Sequence, residues 1–140
     1  MSRFTPQEIE YLQSQRLARL ATIGANGDLH VVPLGFRYNP ETDTIDLGGH
    51  NFASSKKYHD ALRYGRVALV VDDVLPPWRP RFVEVRGAVE AFAEGGQAIN
   101  AGFAPAILRL TPTYIVSIGI NDDVVRPREG SVNYYGRKVT

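Results

Sequence analysis

LARLATIGANGDLHVVPLGFRY, residues Leu17 to Tyr38, is two alternating runs joined through Ala25, Asn26, Gly27 and Asp28. Asn-Gly between alternating apolar runs is a strong hairpin signal, because both turn positions tolerate the positive φ that a tight antiparallel turn needs. The first strand is expected over Leu17 to Ile23 and its return over Leu29 to Tyr38, with Val32, Leu34, Phe36 and Tyr38 on one face. Pro33 and Gly35 interrupt the return strand, marking a place where pairing is broken or where something approaches the backbone.

Upstream, Thr5, Pro6 and Glu8 combine a hydroxyl cap, a proline at the first helical position and a carboxylate three residues past the cap, so a helix is predicted to run to about Gln15. Downstream, the turn Asn39 to Asp43 leads into a short strand, Thr44 to Leu47. A helix of two to three turns follows over Ser54 to Tyr64, then a buried strand over Val67 to Val71. Asp72 to Pro80 reads as a proline-rich loop carrying the only tryptophan, Trp78, and Arg81 to Phe92 as a long strand. Gly95 to Pro105 gives a weak signal. The last two strands are predicted over Ile107 to Leu110 and Tyr114 to Ile120, broken at Thr111-Pro112. Antiparallel strands in succession with few helices and no βαβ repeat predict a mainly β fold, a six- to seven-stranded antiparallel barrel forming a single domain over 1–140.

Composition narrows the chemistry. Sixteen Lys and Arg against fifteen Asp and Glu give a net charge of +1, which argues against nucleic-acid binding through a basic face. Without cysteine there is no disulfide, thiolate nucleophile or zinc-thiolate cluster. MSRFTPQEIEYL has no signal-peptide core and no run has the length of a membrane span, so a cytoplasmic protein without membrane contact is expected. The three histidines, His30, His50 and His59, are scattered, so no metal site is expected. Glu84 and Glu90 lie too far apart on one strand to pair, and no nucleophile motif occurs, so no catalytic side chain is assigned.

One segment does suggest a ligand. In LGGHNFASSKKYHDALRYGRVALVV, Leu47 to Val71, the side-by-side Lys56 and Lys57 follow Ser54 and Ser55 at a helix start, while the third lysine is Lys138 and every other strongly basic residue is arginine. Hydroxyls, ammonium groups and free backbone N–H groups would converge there on a phosphate; the plainer alternative is a solvated helix start. His50 and Asn51 end the preceding strand beside this corner.

Taken in order, LARLATIGANGDLHVVPLGFRY, S-x-K within SSKKYHDALRYGRVALVV, and FVEVRGAVEAF resemble the split β-barrel flavin and deazaflavin oxidoreductases related to pyridoxamine 5'-phosphate oxidase, in particular the branch that uses coenzyme F420. The resemblance spans nearly the whole chain, to YIVSIGI. It implies a split β-barrel that works as a homodimer with the cofactor at the subunit interface. Under it, Lys57 matches the lysine that reaches the cofactor phosphate, Ser55 the hydroxyl two positions earlier, and Lys56 is a second candidate. Val32, Pro33 and Leu34 match the strand whose backbone runs along the tricyclic ring. Two positions depart from the family pattern: Asp60 stands where relatives carry asparagine, and Ser117-Ile118-Gly119 where they carry S-W-G. The implied activity is hydride transfer between reduced F420 and a small electrophilic substrate. The alternatives are an FMN-dependent flavin reductase or oxidase, with Arg79, Arg81, Arg126, Arg128 and Arg137 available to an F420 tail if there is one, and a storage protein that binds cofactor without turnover. Arg81, Arg86 and Trp78 are candidates to approach the cofactor or its tail; the plainer readings, which are favoured, make Arg86 an ordinary surface charge and Trp78 a plug of a barrel end or a subunit contact.

Overall fold

The computed structural model describes residues 2–120 and 134–139. Six antiparallel strands close into a barrel: β1 (Leu17–Ile23), β2 (Leu29–Asn39), β3 (Thr44–Gly48), β4 (Arg66–Leu75), β5 (Arg79–Phe92) and β6 (Ile107–Ile118). Their order is β3-β2-β1-β4-β5-β6, with β3 also paired to β6 to complete the cylinder, and β7 (Tyr134–Lys138) added along the far half of β6. Closure leaves no free edge around most of the sheet, which is how a small all-β domain protects its backbone polar groups.

Alternation fills the interior. Ala18 and Leu20 of β1, Leu34, Phe36 and Tyr38 of β2, Ile45 and Leu47 of β3, Val67, Leu69 and Val71 of β4, Val83 and Val85 of β5, and Leu108, Leu110 and Ile115 of β6 form one buried cluster. Each buried aliphatic side chain of this kind contributes about 1.5–3 kcal/mol.

Helix α1 (Pro6–Ser14) covers one end of the barrel, and its start has the predicted capping box: Thr5 Oγ1 accepts from Glu8 N–H at 3.1 Å, and Glu8 Oε1 from Thr5 N–H at 2.9 Å. Tyr11 and Leu12 face the core, and the Tyr11 hydroxyl reaches Asp73 Oδ1 at 2.9 Å. Helix α2 (Lys56–Tyr64) follows a single 3₁₀ turn (Phe52–Ser54) and packs on β1, β4 and β5 near the other end. It stops at Gly65, whose φ of 85° is the left-handed conformation that ends helices. The short α3 (Gly96–Ile99) lies within the weak 95–105 region, which sits on β2 and β3 with the Phe103 ring against Gly35 and Gly48. A Cβ at Gly35 would come within 2.6 Å of that ring, so a glycine is needed for this contact.

Two sequence expectations are corrected. Asp72 to Pro80 is not a loop: β4 continues to Leu75 and β5 begins at Arg79, held together by Arg81 gripping Asp73 across the pair at 2.6 and 3.0 Å. Thr111-Pro112 does not divide two strands; β6 is continuous, and a register shift opposite Arg86 and Gly87 places one extra residue there as a bulge, where proline is tolerated. The interruption expected at Pro33 and Gly35 is present on the β3 side, where pairing stops at Gly35, while the ladder with β1 runs on through Pro33. The Gly24 N–H bond to the Asp28 carbonyl fixes the alternation, making Thr22/His30, Leu20/Val32 and Ala18/Leu34 the bonded pairs, so the N–H that Pro33 lacks would have pointed away from β1. Of the tail from Asn121 onward, 121–133, with Arg126 and Arg128, lie outside the described residues.

Candidate functional site

The barrel wall is incomplete along half of β2. Residues 35–39 pair with β3, but residues 29–34 pair only with β1, and no other described strand lies on their far side. By the same alternation, the N–H and C=O of Leu29 and Val31 and the C=O of Pro33 point out along this edge. Such groups seek partners, so an unfilled edge within a closed barrel is a place for a ligand with hydrogen-bonding heteroatoms.

Beside it the serine-lysine corner divides its labour. Ser55 is the N-cap of α2: its hydroxyl donates to the Phe52 carbonyl at 2.6 Å and accepts from Tyr58 N–H at 3.3 Å. Its proton is therefore committed to the turn rather than offered to a ligand. Lys56 reaches back to Asp60 at 2.7 Å, and Arg63 bonds the other oxygen of the same carboxylate at 2.9 Å. Hydrogen bonds from Lys56 and then from Arg63, against opposition from burial, hold the Asp60 carboxyl below the usual carboxylate range. The residue that departs from the family pattern is thus a buried anion shared by two cations, and it occupies one of the two candidate lysines. Lys57 has no hydrogen bond or ion pair among the described residues and is half-buried at the first turn of the helix.

The corner lies against the β1–β2 hairpin. A Cβ on Gly24 would meet both Lys56 Nζ and His30 Nε2 at 3.3 Å, so the glycine keeps open a notch lined by basic groups. His50 is engaged elsewhere: its Nδ1 contacts the Gly102 carbonyl at 3.0 Å and its ring packs edge-on against Phe103, tying down the 95–105 segment. Asn51 is exposed and its side chain caps nothing in the 3₁₀ turn. Val32 and Leu34 turn toward the barrel interior and spend their backbone groups on β1, while Pro33 turns outward, so of the three only the Pro33 carbonyl is open along the edge.

The outward face continues the edge as an apolar shelf. Val31 pairs with Ala21 and Ala21 with Ala68, and a shallow groove of about 260 Å³ is lined by Arg19, Ala21, Ala68, Leu69, Val70, Phe82 and Glu84. Its one cation, Arg19, is bound to Asp72 at 3.1 Å, so the groove suits a flat apolar body and the α2 corner an anion. Leu29 and Val31 remain 81% and 66% exposed on this face. The other arginines considered for an acidic tail are largely committed: Arg81 to Asp73 and the Tyr11 ring, and Arg137 to Glu8; Arg86 grips Glu84. Trp78 stands 77% exposed in the β4–β5 turn and plugs no barrel end. Ser117 Oγ, on the interior side opposite Val83, has no hydrogen-bond partner. Sequence reading did not single out Thr22 or Gly24 and weighed His30 only as a metal ligand; strand pairing sets Thr22 opposite His30, whose Nε2 approaches Gly24 together with Lys56 Nζ. Among the described residues no group of three potential metal ligands occurs, and no helix is long and apolar enough to cross a membrane.

A flavin-type cofactor needs a phosphate grip, hydrogen-bonding partners for a heteroaromatic edge and a flat apolar bed. Lys57 at the helix start, the open backbone of β2 and the alanine-lined shelf supply these, so the residues present fit the group.

No family model matches the chain. It is 38% identical over 123 residues to a 5a,11a-dehydrotetracycline/5a,11a-dehydrooxytetracycline reductase of Streptomyces rimosus subsp. rimosus, covering 86% of this chain and 87% of that one. Among solved structures, an F420 reductase superposes with a TM-score of 0.61 at 22% identity over 79% of this chain and 98% of its own. The FAD binding protein from Mycobacterium smegmatis does so with a TM-score of 0.62 at 20% identity over 81% and 92%. The chain belongs to the split β-barrel oxidoreductases related to pyridoxamine 5'-phosphate oxidase, a family that binds flavin-type cofactors.

Proposed function

We propose that this chain is a coenzyme F420-dependent reductase of the cytoplasm that acts as a homodimer on a small unsaturated electrophile. The observation that carries the reading is the coincidence of a half-unpaired strand, β2, with an uncommitted lysine, Lys57, at the neighbouring helix start. Lys57 holds the phosphate, the outward N–H and C=O groups of Val31 and the carbonyl of Pro33 face the ring edge, and the shelf around Ala21, Ala68 and Val70 provides the bed. When bound, the reduced deazaflavin supplies the hydride. The protein binds, orients and excludes water, which agrees with the absence of an acid-base pair in the groove. The reductase relative is named for a dehydrotetracycline, and that supports an unsaturated polycyclic acceptor as the substrate class. The exposed apolar face through Leu29, Val31 and Leu17 supports a second copy as the wall that closes the site.

Fluorescence titration of the purified protein with F420 and, separately, with FMN tests the assignment. F420 binds, and Lys57→Ala weakens it at least about tenfold, the lower end of about 1.5–3 kcal/mol for a charge-assisted phosphate contact. Binding of FMN with none of F420 makes the protein a flavin enzyme instead. Tight F420 binding with no consumption of reduced F420 across a panel of enones and quinones makes it a storage protein.

A further inference from the structure

Two polar side chains beside the corner are left without a role by the reading above. Thr22 is 3% exposed, and His30 lies opposite it in a bonded pair of the β1–β2 ladder, so both side chains leave the sheet on one face. Packing of α2 on β1, and the shared approach of His30 Nε2 and Lys56 Nζ to Gly24, set that face under the start of the helix. The two nitrogens are no more than twice 3.3 Å apart. Neither the Thr22 hydroxyl nor the His30 ring forms a hydrogen bond among the described residues.

The surrounding charges explain why the partner must come from outside. Of the charged groups on the elements packed here, Lys56 of α2 shares the Gly24 notch with His30; α2 also carries Lys57, Asp60 and Arg63, and the hairpin turn carries Asp28. Asp60 is already divided between Lys56 and Arg63, and Asp28 accepts from Asn26 Nδ2 at 2.9 Å while their turn is closed by Asp28 N–H to Asn26 Oδ1. Neither carboxylate bonds the imidazole. Lys56 and His30 across a glycine-cleared notch, with the Thr22 hydroxyl on the same face as His30, offer donors to an anion with several oxygens.

We infer that His30 and Thr22 are the floor of the phosphate site, His30 donating to the phosphate as an imidazolium, so that cofactor affinity is linked to pH. The inference rests on the cofactor reading above. The ligand class is a phosphate ester, and its arrival favours the charged ring, so binding takes up a proton. Affinity for the ester then falls as pH rises, by at most about tenfold per pH unit for one linked proton.

The test is fluorescence titration of wild type, His30→Gln, Thr22→Val and Lys57→Ala with F420, with FMN and with riboflavin, which lacks the phosphate, between pH 5.5 and 8.5. It is paired with NMR of the His30 ring in cofactor-free protein as inorganic phosphate is added. The expected result is a pH-dependent affinity for the phosphorylated cofactor that becomes weaker and flat in His30→Gln and weaker in Thr22→Val. Riboflavin affinity does not respond to either variant, and phosphate moves the His30 resonance. If His30→Gln and Thr22→Val bind as wild type does at every pH while Lys57→Ala still weakens binding, this inference is wrong and the cofactor reading stands. If wild type binds neither F420 nor FMN, the cofactor reading fails; the NMR arm then decides, a phosphate-induced shift supporting an anion site at His30 and its absence overturning it.

Discussion

Replacing Arg137 by methionine removes the cation that neutralises the most buried acid in the described structure. Arg137 donates to Glu8 Oε1 at 2.6 Å and Oε2 at 2.9 Å and also bonds the Arg3 carbonyl at 2.8 Å. Glu8 is 0% exposed, and its only other hydrogen bond is the Thr5 N–H of the capping box. Contact with that carboxylate raises the Arg137 guanidinium above its ordinary value, so the arginine stays charged at any pH at which the protein is handled. Methionine keeps the apolar stem beside Tyr135 but leaves a desolvated carboxylate with one N–H donor. Breaking a buried pair from one side costs about 3–5 kcal/mol, a large share of the roughly 5–15 kcal/mol of a whole domain. At about 3 °C per kcal/mol for a chain of this length, the melting temperature falls by about 10 °C. Glu8→Gln costs less, since the guanidinium it leaves is 19% exposed and can turn to water, and the double variant costs clearly less than the two single losses added. Urea unfolding and thermal circular dichroism of the four proteins measure all three quantities. A single Arg137→Met loss under about 1 kcal/mol, or strict additivity in the double variant, refutes the argument. Because the pair ties β7 to α1, at the end away from α2, F420 affinity measured well below the melting temperature is unchanged in Arg137→Met.

Two further outcomes follow from the ion pairs. Asp60→Asn restores the residue of the family pattern, releases Lys56 from its 2.7 Å contact and removes a negative charge next to the corner; F420 binding tightens severalfold in a fluorescence titration, and unchanged binding would mean that Lys56 does not face the phosphate. The Asp73 carboxyl is held below its ordinary 3.8 chiefly by hydrogen bonding from Arg81, with burial opposing. A depressed folded value stabilises the protein above the unfolded value and loses that contribution as pH falls through the folded one. The stability difference between wild type and Asp73→Asn is therefore constant above about pH 5 and shrinks below pH 3.8 in acid-dependent urea melts; a difference that survives to pH 2 contradicts the ion-pair account.

What could be read from the sequence was local. The capping box of Thr5 and Glu8 and the Asn26-Gly27 turn depend on neighbours three or fewer residues apart, and both α1 and the β1–β2 hairpin stand where those signals put them. Alternation gave the inward face of β2, because a one-residue slip would turn the core outward. The β4–β5 hairpin was hidden because Pro76, Pro77 and Pro80 look like a loop, while the contact that extends the strands, Arg81 to Asp73, also depends on Tyr11 of α1. At the site, Lys57 could be singled out by its unusual company. The commitments of its neighbours could not be weighed in advance: Ser55 spends its hydroxyl on Phe52, Lys56 on Asp60, and His50 on a segment fifty residues away in sequence.

The two ends of the barrel differ in how many of their polar side chains are paired, and this asymmetry supports the proposed site. At the α1 end, Asp43 takes Ser2, Tyr38 and the Arg3 N–H, Asp73 takes Tyr11, Gln15 and Arg81, and buried Glu8 takes Arg137 and Thr5, so each of these carboxylates is bonded several times over, while Ser117 Oγ has no partner among the described residues. At the α2 end, Thr22, His30 and Lys57 are unpartnered among the described residues, and half of β2 lacks a neighbour strand. Among the described residues none of the unpartnered side-chain atoms at the α2 end is sealed from water, so they are solvated in the empty protein and open to a ligand. An anion and a heteroaromatic edge that replace this water make ligand binding at the α2 end raise the melting temperature more than occupation of the apolar groove alone would.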